Sequence, residues 1–143
     1  MKNSINIVNK KSKFEYEFIQ VETAGIKLKG SEVKSIRMGK ASISEGYCYF
    51  SNGELYVKGM NISDYGFGSS HETVVDRKLL LKKKELRDLQ KNLVVGLTIV
   101  PYRLFINERG FVKLEIALAR GKKLYDKRQT IKERDIDRDM KRG

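Results

Sequence analysis

Cysteine and histidine each occur once in this chain of 143 residues, and no apolar run approaches the ~18 residues that span a bilayer. A lone cysteine closes no intramolecular disulfide, and one Cys with one His makes no zinc cluster. Cys48 sits inside Tyr47-Cys48-Tyr49-Phe50, where it reads as a packed strand residue rather than a nucleophile. The N-terminus, Met1-Lys2-Asn3-Ser4-Ile5, carries neither the apolar stretch nor the small-residue site of a secretory signal. These absences fit a reducing cytoplasm. Acidic residues are also in the minority, 18 against 30 Lys and Arg, which leaves a net charge of +12. Such a charge says nothing about fold, but it attracts polyanions, and without a membrane segment nucleic acid is the natural one.

Catalytic constellations are missing as well. Enzymes commonly bring together a nucleophile and a base, two carboxylates, a metal cluster or a phosphate-cradling loop. His71 stands alone in a Ser/Gly-rich loop, where it anchors a turn or touches RNA more readily than it serves as a base. Gly66-Phe67-Gly68-Ser69-Ser70 has neither the GK[ST] ending nor the GxGxxG spacing of a nucleotide loop. The sequence therefore reads as a binding protein without cofactor or metal, not as an enzyme. A ribonuclease using His71 is the enzymatic alternative.

The length suits one hydrophobic core. The first ten or so residues are polar and basic and read as loosely held. Phe14 to Val21 reads as a strand whose phase slips near Phe18-Ile19, as at a bulge. Gly30-Ser31-Glu32 opens a short helix with Ser31 as N-cap, Val33 and Ile36 on one face, and Gly39 as its stop. Ile43–Phe50 and Leu55–Val57 flank Asn52-Gly53, a strong hairpin signal. A loop runs from Ser63 to Thr73. Leu86, Leu89 and Leu93 mark one face of a Lys-rich helix over about 82–93. Val100, Tyr102, Leu104 and Ile106, then Val112, Leu114, Ile116 and Leu118, predict an antiparallel hairpin with one buried face. The expected fold is mainly β: a small, closed or nearly closed antiparallel barrel with two or three flanking helices.

At Gly121 the composition changes. Residues 121–143 hold nine Lys/Arg against five Asp/Glu, net +4, and the first 120 residues are net +8. The last stretch has too few apolar side chains to offset its ordering entropy, so a barrel over 1–120 is expected with a basic tail over 121–143, disordered until bound. Like-charged pairs at i, i+4 (Glu133/Asp137, Arg134/Arg138, Asp135/Asp139) oppose an isolated helix there.

Basic residues cluster at Lys34-Arg37-Lys40, Arg77-Lys78, Lys82-Lys83-Lys84, Lys122-Lys123 and Lys127-Arg128. Asn61, Tyr65, His71 and Tyr125 lie near some of them and can stack on or hydrogen-bond unpaired bases. Singly, each cluster is more often a solvated face; together, on a β-rich body, they favour RNA.

Three stretches carry a family resemblance. Ala24-Gly25-Ile26-Lys27-Leu28-Lys29-Gly30-Ser31-Glu32-Val33-Lys34-Ser35-Ile36-Arg37, followed by Gly39-Lys40, resembles the N-terminal signature of the bacterial SsrA-binding proteins (small protein B), partners of tmRNA. Asn61-Ile62-Ser63 to Tyr65, His71-Glu72 and Arg77-Lys78-Leu79-Leu80-Leu81 resemble the central segment. Ala117-Leu118-Ala119-Arg120-Gly121-Lys122-Lys123-Leu124-Tyr125-Asp126-Lys127-Arg128 resembles the C-terminal signature. The resemblance implies an OB-like barrel that binds the tRNA-like domain of tmRNA, one protomer per tmRNA, and delivers it to stalled ribosomes for trans-translation. The protein would mimic the missing anticodon arm. Its tail, helical on the ribosome, would probe small-subunit rRNA at the decoding centre and the empty message channel. Carried onto this chain, Glu32, Lys34, Arg37, Lys40, Asn61, His71, Arg77 and Lys78 would lie on or beside the tmRNA face. Gly121, Lys122, Lys123, Tyr125, Asp126, Lys127 and Arg128, with Lys132, Arg134 and Arg138, would meet the ribosome. Thr23 stands where the family carries an acidic residue, Thr73 where Pro is frequent and Val75 where Arg is frequent, and Arg77 is a candidate to take over a loop contact. A different OB-fold ribosomal protein or translation factor is the alternative.

Overall fold

Six strands pair in a ring. The computed structural model describes residues 5–63 and 72–122. Over that range the elements run β1 (Asn6–Val8), α1 (Lys10–Glu15), β2 (Tyr16–Ile26), α2 (Gly30–Arg37), β3 (Ala41–Ser42), β4 (Tyr47–Ser51), β5 (Glu54–Lys58), β6 (Asn61–Ile62), β7 (Arg77–Leu80), α3 (Lys83–Asn92), β8 (Leu97–Ile106) and β9 (Val112–Gly121). Antiparallel pairing passes from β8 through β4, β5, β7, β2 and β9, and the β8–β9 ladder returns it to β8. A ring without a free edge is a barrel, so the expected fold class holds. A second, two-stranded sheet, β3–β6, lies outside the ring.

The hairpin at Asn52-Gly53 forms as its sequence dictates. Both residues have positive φ, 51° and 78°, which a two-residue turn between twisted strands needs and which Asn and Gly tolerate. The phase slip in β2 is a bulge: register shifts between Phe18 and Gln20, leaving Ile19 unpaired. Leu55, Leu79, Ile99, Leu104, Leu114 and Ile116 are fully buried in the barrel, and Leu86 and Leu89 of α3 join the same cluster. Each such side chain contributes about 1.5–3 kcal/mol by leaving water.

Several expectations are corrected. Of the first ten residues, Asn6 to Lys10 are not loosely held. β1 pairs with Phe105, Leu104 and Arg103 of β8, and Asn9 caps α1 by accepting the Ser12 N–H at 3.3 Å. Asn9 is buried, and its amide donates to the carbonyls of Ile43 and Pro101; local side-chain capping of this kind has no hydrophobic period to announce it. Lys29, not Ser31, is the N-cap of α2, because Glu32 reaches back to the Lys29 N–H at 2.8 Å. Ile43 lies outside β4, and Arg77–Leu80, expected only as a basic stretch, forms the strand that joins β5 to β2. Finally, β8 bulges between Pro101 and Arg103, the kind of place where a strand accommodates proline. The bulge changes the phase. Val100 and Tyr102 pack with Ala117, Ala119, Tyr16 and Phe18 on the outside of the barrel, while Leu104 and Ile106 face the core.

Candidate nucleic-acid interface

Helix α2 begins where β2 ends and carries Lys34 and Arg37 three residues apart, exposed on one surface. Ile36 and Ser35, on the other side, are fully buried. Lys40 follows the helix and is exposed, and its carbonyl accepts the Ser63 N–H at 3.0 Å. That bond continues the β3–β6 ladder, in which Ser42 opposes Asn61. Lys40 and Asn61, 21 positions apart in sequence, are thus brought to one small sheet beside α2. The structure assembles Lys34, Arg37, Lys40 and Asn61 as an exposed polar surface.

Glu32 and Arg77 lie beneath this surface. Their side chains are 6% and 2% exposed, and Arg77 Nε donates to Glu32 Oε2 at 2.6 Å. Arg77 Nη1 donates to the carbonyls of Met60 and Val75 at 2.8 and 3.2 Å, and Nη2 to those of Glu72 and Thr73, both at 3.3 Å. A guanidinium has five N–H donors, and all five are engaged inside the protein. Arg77 therefore does not take over a loop contact with RNA; it ties α2, the end of β5 and the base of the 63–73 loop into one unit. Ile62 N–H to Thr73 O at 2.9 Å and the Asn61–Val74 bridge hold the same base from the other side. His71 lies outside the described residues.

Lys78 takes a different direction. It stands on β7 opposite Tyr56 of β5, half-buried and 3.8 Å from Glu54. Gly121 and Lys122 lie at the far end of the barrel. Gly121 closes β9 opposite Tyr16, and the Lys122 N–H donates to Glu15 O at 2.8 Å. Lys123, Tyr125, Asp126, Lys127, Arg128, Lys132, Arg134 and Arg138 lie outside the described residues. The other end of β9 adjoins α2: a Cβ added to Gly110 in the β8–β9 turn would come 3.9 Å from Arg37 Nη2. Ten residues of strand, roughly 30 Å, thus separate the α2 surface from the point where the tail leaves.

A polar cluster on the outer face went unnoticed in the sequence. Tyr102 donates to Glu115 Oε2, and Arg103 donates to Glu115 Oε1 from Nε at 2.9 Å and Nη2 at 2.6 Å. The Arg103 guanidinium also lies 4.0 Å from the centre of the Phe105 ring. Glu115 is the cross-strand partner of Thr23, so a carboxylate occupies this face although residue 23 is not acidic. Burial, reinforced by the Glu115 carboxylate, pushes the Tyr102 phenol from 10.0 up to about 12. A group held protonated in this way stabilises the fold fully below pH 10 and loses that contribution as pH rises through 12. Thermal unfolding of Tyr102→Phe is accordingly expected to fall less steeply than wild type between pH 10 and 12; parallel curves would show that Tyr102 plays no part. Burial raises the Cys48 thiol as well, which suits its packed position.

Among the described residues no helix is long and apolar enough to cross a membrane, and no group of three or more His, Cys, Asp or Glu is placed to hold a metal.

Comparison with known proteins agrees with the sequence resemblance. The family model described as SmpB protein matches residues 6–143. An SsrA-binding protein of Cytophaga hutchinsonii is 58% identical over 142 residues, covering 97% of this chain and 93% of the relative. One from Chlorobaculum tepidum is 47% identical over 137 residues, covering 94% and 87%. A chain of the solved structure "tmRNA-SmpB: a journey to the center of the bacterial ribosome" is 41% identical, covers 85% of this chain and 87% of its own, and superimposes with a TM-score of 0.71. With a family match over almost the entire length and a solved relative of matching fold, the chain belongs to the SmpB family of SsrA-binding proteins.

Proposed function

We propose that this protein binds the tRNA-like domain of tmRNA and delivers it to stalled ribosomes for trans-translation, acting as a cytoplasmic binding module rather than an enzyme. The observation that carries the reading is the α2 surface. Lys34, Arg37, Lys40 and Asn61 are exposed together on a platform that the Glu32–Arg77 pair makes rigid, and cations fixed in this way suit a folded RNA backbone. The strand of roughly 30 Å between this surface and Gly121 suits a protein that holds tmRNA at one end and sends residues 121–143 toward small-subunit rRNA at the other. In this arrangement the body stands where an anticodon arm would, and the tail probes the decoding centre and the message channel.

Counterion release provides the test. If about six phosphates are engaged, affinity falls by ~10³ or more between low and moderate salt. Replacing Lys34, Arg37 and Lys40 together by Ala is expected to lower the slope of log affinity against log salt by roughly two to three while leaving thermal stability near wild type. A flat slope in the wild type, or a triple variant with an unchanged slope, would remove α2 as the tmRNA surface.

A further inference from the structure

The outer face of the β4–β5 hairpin carries a second feature suited to RNA. Tyr49 and Tyr56 are cross-strand partners with ring centroids 5.7 Å apart and planes inclined by 20°, a stacked pair facing outward. Strand β7 extends the row, since Tyr56 opposes Lys78. Tyr49 is fixed by donating its hydroxyl to Asp76 at 2.5 Å, and that bond, more than burial, pushes its phenol up to about 12. Beside Tyr56 opens a cleft of about 400 Å³ walled by Lys27, Lys29 and Lys78. Glu32 and Arg77 form part of its lining, so the cleft is continuous with the unit that carries α2.

Each element has a physical use. Two aromatic rings lie next to each other on a solvent-facing strand pair, where they support the hairpin and also present flat apolar faces. Bases stack on such faces whatever their identity, and nearby lysines neutralise the phosphates between them. Of the acidic groups here, Glu32 is paired with Arg77, Asp76 accepts from Tyr49 and Glu54 lies 3.8 Å from Lys78, which leaves Glu72 at the cleft against its three lysines. The face of an OB-type barrel over adjacent strands is, moreover, a surface that accommodates extended oligonucleotides.

We infer that the Tyr49–Tyr56 pair, with Lys27, Lys29 and Lys78 along the cleft, is a stacking platform for unpaired bases of the same tmRNA that α2 holds. The inference rests on the proposed tmRNA reading and extends the contact surface from α2 across the cleft to the β4–β5 hairpin. A stacked base releases no counterion, so the platform adds affinity without adding to the salt slope.

The sequence contains no Trp, so Tyr56→Trp introduces a unique fluorophore that preserves an aromatic face. In the full-length chain its emission should be quenched by tmRNA, saturating in step with binding measured by filter retention. Small ribosomal subunits without tmRNA should leave the emission unchanged. Replacing both Tyr49 and Tyr56 by Leu should weaken tmRNA binding about five- to a hundredfold for each stacked base lost, at an unchanged salt slope. Tyr56→Phe, which keeps the ring, should bind as wild type and guards against a folding defect in the double variant. Full tmRNA binding without quenching, quenching by the ribosomal subunit alone, or a double variant with wild-type affinity would each overturn the platform while leaving the α2 reading intact. Loss of tmRNA binding by the wild type at every salt concentration would instead remove the reading on which it rests.

Discussion

A chain ending at Lys122 is expected to hold tmRNA within about tenfold of the full-length affinity, ~1.4 kcal/mol, and to support no tagging of stalled nascent chains. The cut is placed after Lys122 because the backbone up to that point is part of the barrel: Gly121 pairs with Tyr16, and the Lys122 N–H is bonded to Glu15. Cutting earlier would remove a ladder partner of β2 and confuse a folding defect with a functional one. The α2 surface adjoins the opposite end of β9, through Arg37 and Gly110, so the truncation removes none of Lys34, Arg37, Lys40 or Asn61. Net charge is also retained where it is needed, since the first 120 residues carry +8 of the total +12. The truncation removes most of the nine cations of residues 121–143, whose proposed partners are phosphates of small-subunit rRNA. Gel-shift titration of the truncated protein and a tagging assay on ribosomes stalled without a stop codon measure the two halves separately. A loss of tmRNA affinity well beyond tenfold, or tagging at the full-length rate, would show that the division of labour between body and tail is wrong.

The sequence reveals this fold where a period or a turn signal is local. Asn52-Gly53 names its own hairpin, and the alternation from Val112 to Leu118 names β9 with its buried face. The bulge at Ile19 is visible because an extra residue breaks that alternation. What stayed hidden depends on partners remote in sequence. Asn9 caps a six-residue helix whose position is set by Ile43 and Pro101, 34 and 92 residues away. Strand β7 reads as a basic stretch because only its neighbours β5 and β2 make it a strand. The same limit applies to the site. Charge clustering finds Lys34 and Arg37, which need only a helix to be placed together, and Lys40 just beyond its end. It cannot distinguish Arg77, which turns inward, from Lys78, which faces out, because adjacent residues of a strand point to opposite sides and nothing local says which side is the core. The two-residue turn also fixes Tyr49 opposite Tyr56, but the Asp76 that holds Tyr49 and the cleft beside Tyr56 come from β7 and the segment before it, remote in sequence.

The inward turn of Arg77 leads to the largest expected effect on stability. Arg77→Ala is expected to cost about 3–5 kcal/mol, because it leaves the Glu32 carboxylate buried without its cation and removes the guanidinium donors from the Met60, Val75 and Glu72 carbonyls, Thr73 keeping the Ile62 N–H. Set against the 5–15 kcal/mol that holds a typical domain folded, this should lower the unfolding midpoint by roughly 10–20 °C. Glu32→Ala should cost a similar amount, since it strands the guanidinium and removes the Oε1 that accepts the Lys29 N–H at the start of α2. Because the two changes share one interaction, the double variant should lose clearly less than the sum of the single ones. Arg77→Lys should recover only a minor part: lysine keeps the charge but brings three donors on a single nitrogen, which cannot reach Glu32, Met60, Val75, Glu72 and Thr73 from one position. The consequence for RNA separates a positioning residue from a contact. Below its unfolding temperature, Arg77→Ala should bind tmRNA more weakly, through a loosened α2 and loop base, at an unaltered salt slope. Arg37→Ala should do the reverse, lowering the slope by about one at near-normal stability. Thermal unfolding and salt titration of wild type, Arg77→Ala and Arg37→Ala decide the matter. An Arg77→Ala protein that melts like wild type but loses a unit of salt slope would place the guanidinium on the RNA after all.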